Sequence, residues 1–112
     1  MKVVEQVMTK GDLAQCDAII DGAMVKAVVD IEKGILAIDA DLHADLEQML
    51  LKNGSKQDAL WGINLWFEEE GGDLIEFDSM INVRPRQNNR TRDVEDPAVR
   101  AKIVEIVDKW IR

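Results

Sequence analysis

The sequence of 112 residues has the length of one ordinary domain, and its 46% hydrophobic and 32% charged residues are typical of a folded rather than a disordered chain. With 22 acidic against 14 basic side chains, the net charge of -8 repels phosphate backbones. It excludes bulk coating of nucleic acid, while a local RNA or phosphate contact stays open. No apolar run approaches the roughly 18 residues of a membrane span. A single cysteine, Cys16, and the lack of a signal-like start predict a cytoplasmic protein.

Hydrophobic periodicity divides the chain into strands and helices. Alternation of apolar and polar residues predicts half-buried strands at residues 24–32 and 60–67. Leu42, Leu46 and Leu50 recur at the spacing of one helical face. In chain order, the predicted elements are a strand at 3–7, a helix from Thr9 to Gly22, strands at 24–32 and 35–38, a helix from Asp39 or Asp41 to Asn53, strands at 60–67 and 74–83, and a helix from Asp96 to Trp110.

This order of elements predicts an α+β fold. We expect a mainly antiparallel four- or five-stranded sheet with about three helices packed on one face. A ferredoxin-like topology is compatible with the order, provided that residues 3–7 form a strand. Pro85 and Pro97 bracket a polar loop at residues 84–96, which we call the arginine-rich loop. The prediction is therefore a single domain over residues 1–112 with one long loop near its end.

Six short motifs are distributed over most of the chain. They are MVKAVVDIEKG at 24–34, LHAD at 42–45, GSKQ at 54–57, LWGINL at 60–65, IEFDSMIN at 75–82 and NRTR at 89–92. Through these motifs the chain resembles a family of small uncharacterised prokaryotic proteins that is catalogued as a domain of unknown function. The resemblance implies a one-domain protein, and it supplies no reaction, ligand or catalytic residue.

The most concentrated positive charge lies at residues 84–92, which hold four arginines and no acid. Arginine binds phosphate or carboxylate through two parallel hydrogen bonds, and asparagine adds neutral donors. One interpretation is an anion site, and the other is that the arginines pair with acidic side chains and hold the loop in place. The candidate anion-binding residues are Arg84, Arg86, Asn88, Asn89, Arg90 and Arg92.

Polar residues around His43 form a second candidate site. Possible ligands alternate from Asp39 onward as in a calcium loop, but Ala44 and Leu50 replace the glycine and the glutamate that such a loop needs. One histidine without a second histidine or a nearby cysteine argues against structural zinc. No phosphate loop or dinucleotide fingerprint occurs either. We therefore predict no metal and no cofactor. The segment is either a helix start that carries favourable negative charge or a site in which His43 is a candidate acid or base.

The predicted outward row of the last two strands is a third candidate site. Glu76 and Asp78 would be candidate acid and base, or magnesium ligands, if they faced a cleft, because close like charges raise the pKa of one carboxylate. On an open sheet face they would simply be solvated. Trp66 shares its row with Asn64, so it is either covered by another element or exposed as an interface. Cys16 falls on an apolar helix face and is interpreted as a structural thiol.

Two functions are compatible with these features. The first is a binding protein that contacts a protein partner or a second copy of itself through Trp66 and Asn64 or through the arginine-rich loop. The second is a ligand-binding protein or enzyme acting on a phosphorylated small molecule or RNA. That alternative requires the arginine-rich loop to meet His43, Glu76 or Asp78 in space.

Overall fold

A computed structural model describes all 112 residues and contains a five-stranded antiparallel sheet with three helices, which confirms the predicted α+β class. The strands lie in the order β1-β3-β2-β4-β5. No helix combines the length and the apolarity that crossing a bilayer requires. The strands are β1 (Lys2–Val4), β2 (Met24–Asp30), β3 (Ile35–Ile38), β4 (Leu60–Trp66) and β5 (Ile75–Glu76), and the helices are α1 (Lys10–Leu13), α2 (His43–Lys52) and α3 (Pro97–Trp110).

The strand β2 joins the two halves of the sheet. Ala27 lies opposite Ile38 of β3 on one side and opposite Ile63 of β4 on the other. Strand β1 pairs antiparallel with β3, on the side of β3 that faces away from β2. The ferredoxin-like topology is therefore wrong, because it needs crossovers between parallel strands, and all four strand pairs here are antiparallel.

The larger core lies between the sheet and α3. Val25 of β2 is fully buried there together with Ile103 and Val107 of α3. Asp96 begins this helix as predicted, since its Oδ1 accepts a hydrogen bond of 2.9 Å from the Ala98 N–H. A regular N-cap thus starts the helix that closes the larger core.

Helix α2 covers the opposite face, so the expectation that the helices share one face is wrong. Leu46 and Leu50 of α2 pack with Val28 of β2 and Leu60 of β4 in a separate buried cluster. Successive strand residues point to opposite faces, and β2 has buried valines at both 28 and 29. Both faces of this strand are apolar, and each requires its own cover.

Helix α1 is much shorter than predicted. The capping box is present, with Asp12 N–H donating to Thr9 Oγ1 at 3.1 Å and Thr9 N–H donating to Asp12 Oδ2 at 2.9 Å. The helix nevertheless ends at Leu13. A few residues later, the Ala18 N–H donates to Asp39 Oδ1 at 2.7 Å. Because this distant carboxylate engages the backbone, the segment does not continue as a helix.

Strand β5 has two residues, whereas the periodicity predicts a strand over 74–83. Two side chains replace backbone pairing along the rest of β4. The fully buried Asn82 amide accepts from the Gly62 N–H at 2.8 Å and donates to the Gly62 carbonyl oxygen at 2.9 Å. Farther on, the Arg84 guanidinium donates to the Leu60 carbonyl oxygen. Alternation along the predicted strand would place Asn82 in the outward row with Glu76 and Asp78, and this is wrong, because its buried amide forms the bonds that a neighbouring strand would form.

Candidate functional site

A polar pocket of about 440 Å³ lies on the α2 side of the sheet, and we call it the His43 pocket. Lys26 of β2, Asn64 of β4 and Glu76 of β5 are neighbours in the strand register and form one polar row. The first residue of α2 and Arg92 of the arginine-rich loop complete the site. The lining residues are Asp21, Met24, Lys26, Leu42, His43, Ala44, Asn64, Trp66, Glu76, Asp78, Ser79, Met80, Ile81 and Arg92.

The imidazole of His43 is buried in this pocket, and in its neutral form it has one free acceptor. Only 7% of the residue is exposed. Nε2 lies 2.8 Å from the Ile63 carbonyl oxygen, which can only accept, so Nε2 carries the hydrogen. Burial lowers the pKa of His43 from its ordinary value and the charge of Lys26 adds to this effect, while the Ile63 carbonyl, the nearby Asn64 side chain and the charge of Asp78 oppose it. The lone pair therefore resides on Nδ1, which can accept a hydrogen bond or a proton.

The side chain of Asn64 contains a buried acceptor without a donor. The residue is 5% exposed, and its Nδ2 donates to Glu76 Oε1 at 2.8 Å and to the Asp78 carbonyl oxygen at 3.3 Å. The opposite amide orientation would direct oxygen at two acceptors, so Oδ1 must be the other atom. Oδ1 is buried and has no hydrogen-bond partner. Such a group costs about 1–3 kcal/mol of stability unless something supplies a donor.

The aromatic ring of Trp66 is half-buried at the side of the pocket. Its Nε1 donates to Glu76 Oε1 at 3.3 Å, the same oxygen that accepts from Asn64. Two donors therefore orient the Glu76 carboxylate, although the residue itself is exposed. The predicted row of Asn64, Trp66 and Glu76 is one connected group, and it lines a concave pocket rather than an open sheet face.

One arginine of the arginine-rich loop reaches this site. Arg92 Nε lies 2.6 Å from Asp78 Oδ1, and both side chains remain about half exposed. The loop and the candidate carboxylates therefore meet in space, as the small-ligand alternative requires. An exposed ion pair of this kind is weak, so Arg92 can exchange Asp78 for a ligand at little cost.

The other predicted anion-binding residues do not converge on one point. Arg84 bonds to the backbone and to Glu47, and together with Arg86 it lines a different depression. Arg90 is exposed, and its backbone N–H donates to the Glu95 carboxylate. Asn88 occupies the left-handed backbone region at φ 59°. Anion binding by the whole set stays a prediction, and the geometry offers at most Arg92 to the His43 pocket.

Asn89 holds the arginine-rich loop together from within. It is 3% exposed, and its Nδ2 donates to the carbonyl oxygens of Asn82 and Asp93, each at 2.7 Å. Its Oδ1 accepts from the Glu95 N–H at 2.8 Å. Because both ends of this amide are saturated by the backbone, Asn89 has no free donor to offer an anion.

Lys26 and Ser79 are pocket residues that the sequence analysis did not select. Alternation over residues 24–32 places Lys26 on the polar side of its strand, but nothing local indicates that β2 pairs with β4. Ser79 is 2% exposed, and the predicted strand over 74–83 would place it in the row opposite Glu76 and Asp78, whereas the observed strand ends at Glu76. Strand alternation would locate Lys26 once the pairing is known, whereas no sequence signal indicates Ser79.

His43 gives a direct test of the electrostatics, since it is the only histidine in the sequence. We expect its NMR titration midpoint to lie below the ordinary value of about 6.5, with the hydrogen of the neutral ring on Nε2. A lowered folded-state pKa contributes stability above about pH 6.5 that is lost as the pH falls through the folded pKa, with a slope of at most about 1.4 kcal/mol per pH unit. A midpoint at or above 6.5, or an Nδ1–H ring, would contradict this description.

The fold and the pocket define a small α+β protein with a polar recess between its antiparallel sheet and α2. The chain belongs to the family described as Protein of unknown function (DUF5674), whose model matches residues 2–110. This confirms that a domain of unknown function accounts for nearly the whole chain. No curated protein and no solved structure matches the chain significantly.

Proposed function

We propose that this protein is a ligand-binding protein and that the His43 pocket is its binding site for a small polar molecule. The observation that carries the proposal is the buried Oδ1 of Asn64, which has no hydrogen-bond partner, in a pocket that also contains the buried imidazole of His43. Buried polar groups are almost always paired, so an orphan acceptor in an open pocket indicates a place for a ligand donor. The neutral His43 could also accept a proton from a bound molecule, which leaves an enzymatic role within the same proposal.

The first test blocks the pocket without breaking a hydrogen bond. Ala44 is exposed and lines the pocket, so Ala44→Trp fills the entrance. Ala98 is an exposed alanine in the first turn of α3, and Ala98→Trp is the matched control. Thermal-shift screening should cover amines, amino acids, sugar phosphates, nucleotides and divalent ions. A ligand at 100 times its Kd adds about 2.7 kcal/mol of stability, which corresponds to a shift of several degrees.

We expect at least one class of compound to stabilise the wild-type protein and the Ala98→Trp variant but not the Ala44→Trp variant. Stabilisation by phosphorylated compounds, lost on Arg92→Ala, would favour the phosphorylated ligand predicted as an alternative. If no compound stabilises the protein, or if Ala44→Trp responds like the control, the His43 pocket is not the binding site.

A second candidate function is contact with a protein partner or a second copy of the chain through the rim of the same pocket. Leu42 and Met80 line the pocket and are 56% and 67% exposed. Exposed apolar side chains beside a polar recess are typical of an interface. Light scattering after size exclusion tests self-association, with Met80→Ser as the variant and Val104→Ser on α3 as the control. If the protein stays monomeric at high concentration, self-association through this rim is ruled out.

The cellular setting is part of the proposal as well. The single Cys16 is half-buried and forms no disulfide, which supports a reducing compartment such as the cytoplasm. A prokaryotic source is what the family resemblance implies. Fractionation of a native host with an antibody against the protein would test both statements, and recovery from an oxidising compartment would contradict the first.

A further inference from the structure

We propose that the ligand of the His43 pocket is a small organic cation that presents N–H donors, such as a primary ammonium or a guanidinium group. This inference rests on the proposed ligand-binding function and names the chemical class. The pocket contains three hydrogen-bond acceptors without a donor, and its surplus charge is negative.

The acceptors without a donor are His43 Nδ1, Asn64 Oδ1 and the second oxygen of Glu76. Nε2 of His43 and both Nδ2 hydrogens of Asn64 are already engaged. Donors reach Glu76 only at Oε1. Beside the two buried acceptors, the only buried polar side-chain hydrogen that is not already engaged is that of the Ser79 hydroxyl, whose oxygen accepts from the Ile81 N–H. The side-chain cations of the pocket, Lys26 and Arg92, are more exposed. An ammonium or guanidinium group supplies the missing hydrogens from one ligand.

The charges in the pocket favour the same class. Asp78 and Arg92 neutralise each other at 2.6 Å. Asp21 and Glu76 then outweigh Lys26 among the remaining lining residues. An anion that took Arg92 would leave Asp78 as a further negative charge beside Glu76, whereas a cation leaves this ion pair intact. The net charge of -8 on the whole chain also attracts cations toward the surface.

Trp66 provides an aromatic surface beside these acceptors. Its indole lines the pocket, and its Nε1 donates to Glu76 Oε1. Because the Nε1–H donor lies in the plane of the ring, Glu76 sits at the edge of the indole, and a ligand bound to its free oxygen lies close to Trp66. The same ring makes binding observable through tryptophan fluorescence and the indole NMR signal.

Four probes of similar length separate the charge classes. They are 1,4-diaminobutane, agmatine, 1,4-butanediol and succinate, which carry ammonium, guanidinium with ammonium, hydroxyl and carboxylate groups. We expect the first two to shift the signals of His43, the Asn64 side-chain amide and the Trp66 indole in a saturable manner. The diol and the dianion should leave these signals unchanged at the same concentration.

Two variants with matched charge changes locate the binding site. Glu76→Gln keeps an oxygen that can accept from Asn64 and Trp66 but removes the charge, and we expect it to weaken diamine binding at least tenfold, about 1.4 kcal/mol. Glu70→Gln makes the same change at an exposed position outside the pocket and should alter affinity by less than about twofold. Lys26→Gln removes a competing cation and should strengthen binding.

Three results of these titrations would overturn the cation inference. Saturable binding of succinate or butanediol in place of the amines overturns the cation inference while the ligand-binding proposal stands. Equal weakening by Glu76→Gln and Glu70→Gln indicates general surface attraction and also overturns the inference. Absence of saturable amine binding up to about 10 mM, a concentration well above a millimolar Kd, overturns it too. The broader proposal is then decided separately by the Ala44→Trp comparison.

Discussion

Replacing Arg84 with alanine is expected to lower the free energy of unfolding by about 3–5 kcal/mol, the usual cost of breaking a buried ion pair from one side. The Arg84 guanidinium donates to the Ile81 carbonyl oxygen at 2.9 Å and to the Leu60 carbonyl oxygen. It also lies 3.4 Å from the Glu47 carboxylate and covers the Trp61 ring at 4.8 Å. The variant leaves a carboxylate and two carbonyl groups without their donor in a site that water barely reaches.

The pKa shifts of Arg84 and Glu47 indicate how the stability lost in Arg84→Ala depends on pH. Burial lowers the pKa of Arg84 and raises that of Glu47, where the arginine partly opposes the effect. A raised carboxyl pKa contributes stability below the unfolded value, and this contribution is lost as the pH rises through the folded value. The deficit of Arg84→Ala should therefore be larger at pH 7 than near pH 4.5, where Glu47 can take up a proton.

Urea unfolding followed by tryptophan fluorescence measures the effect. Arg86→Ala is the matched control, because it removes the same charge from an exposed neighbour, and it should stay within about 0.5 kcal/mol of wild type. Combining Arg84→Met with Glu47→Gln should recover part of the loss, since no buried charge then remains unpaired. If Arg84→Ala costs no more than Arg86→Ala, the internal role assigned to Arg84 is wrong.

The second large effect is expected from Gly62→Ala, at about 2–3 kcal/mol of destabilisation. A Cβ at residue 62 would lie 2.5 Å from both Cβ and Oγ of Ser79 and 3.1 Å from Ile81 Cγ1. The segment must then move away from β4, which breaks the two hydrogen bonds between the Asn82 amide and the Gly62 backbone. Because Ser79 also lines the His43 pocket, the substitution should weaken ligand binding together with stability.

Gly72→Ala provides the comparison for this prediction. Gly72 lies at an exposed turn with nothing within 4 Å of an added Cβ, and its backbone is not in the left-handed region. Both variants reduce the freedom of the unfolded chain equally, so their difference isolates the steric cost. Denaturant unfolding and amide NMR shifts of residues 77–84 are the measurements. Equal stability of the two variants would refute the close packing of this segment on β4.

The elements predicted correctly are those whose decisive contacts are close in sequence. Asp96 caps α3 two residues from its hydrogen-bond partner, and Gly34 supplies the positive φ of 69° in the turn between β2 and β3. The prediction for α1 failed because Asp39 binds the backbone of Ala18 from a distant segment. A capping box indicates only where a helix begins. It gives no information about a distant carboxylate that binds the backbone N–H groups farther along the segment.

The candidate site was predicted in its parts but not as a whole. Strand alternation placed Asn64, Trp66 and Glu76 in one polar row, since side chains two residues apart share a face and a hairpin aligns its strands. His43 was selected separately, and no pattern indicated that α2 covers this row. The expected placement of all helices on one face would have left the row open to solvent and without a pocket.

Hydrophobic alternation, helical spacing and charge determined the α+β class, the boundaries of β3 and α3, and the chemical groups available for binding. These signals act between residues a few positions apart, so a single chain displays them directly. The predicted start of α2 was wrong, because neither Asp39 nor Asp41 caps this helix, which begins after Leu42 without a side-chain cap. The tertiary structure decided which strands pair, which face α2 covers, that the Asn82 amide and the Arg84 guanidinium take the place of a strand, and that Asn64 keeps an unpaired oxygen in a pocket. Each of these depends on hydrogen bonds and packing between distant segments, whose partners local periodicity does not specify.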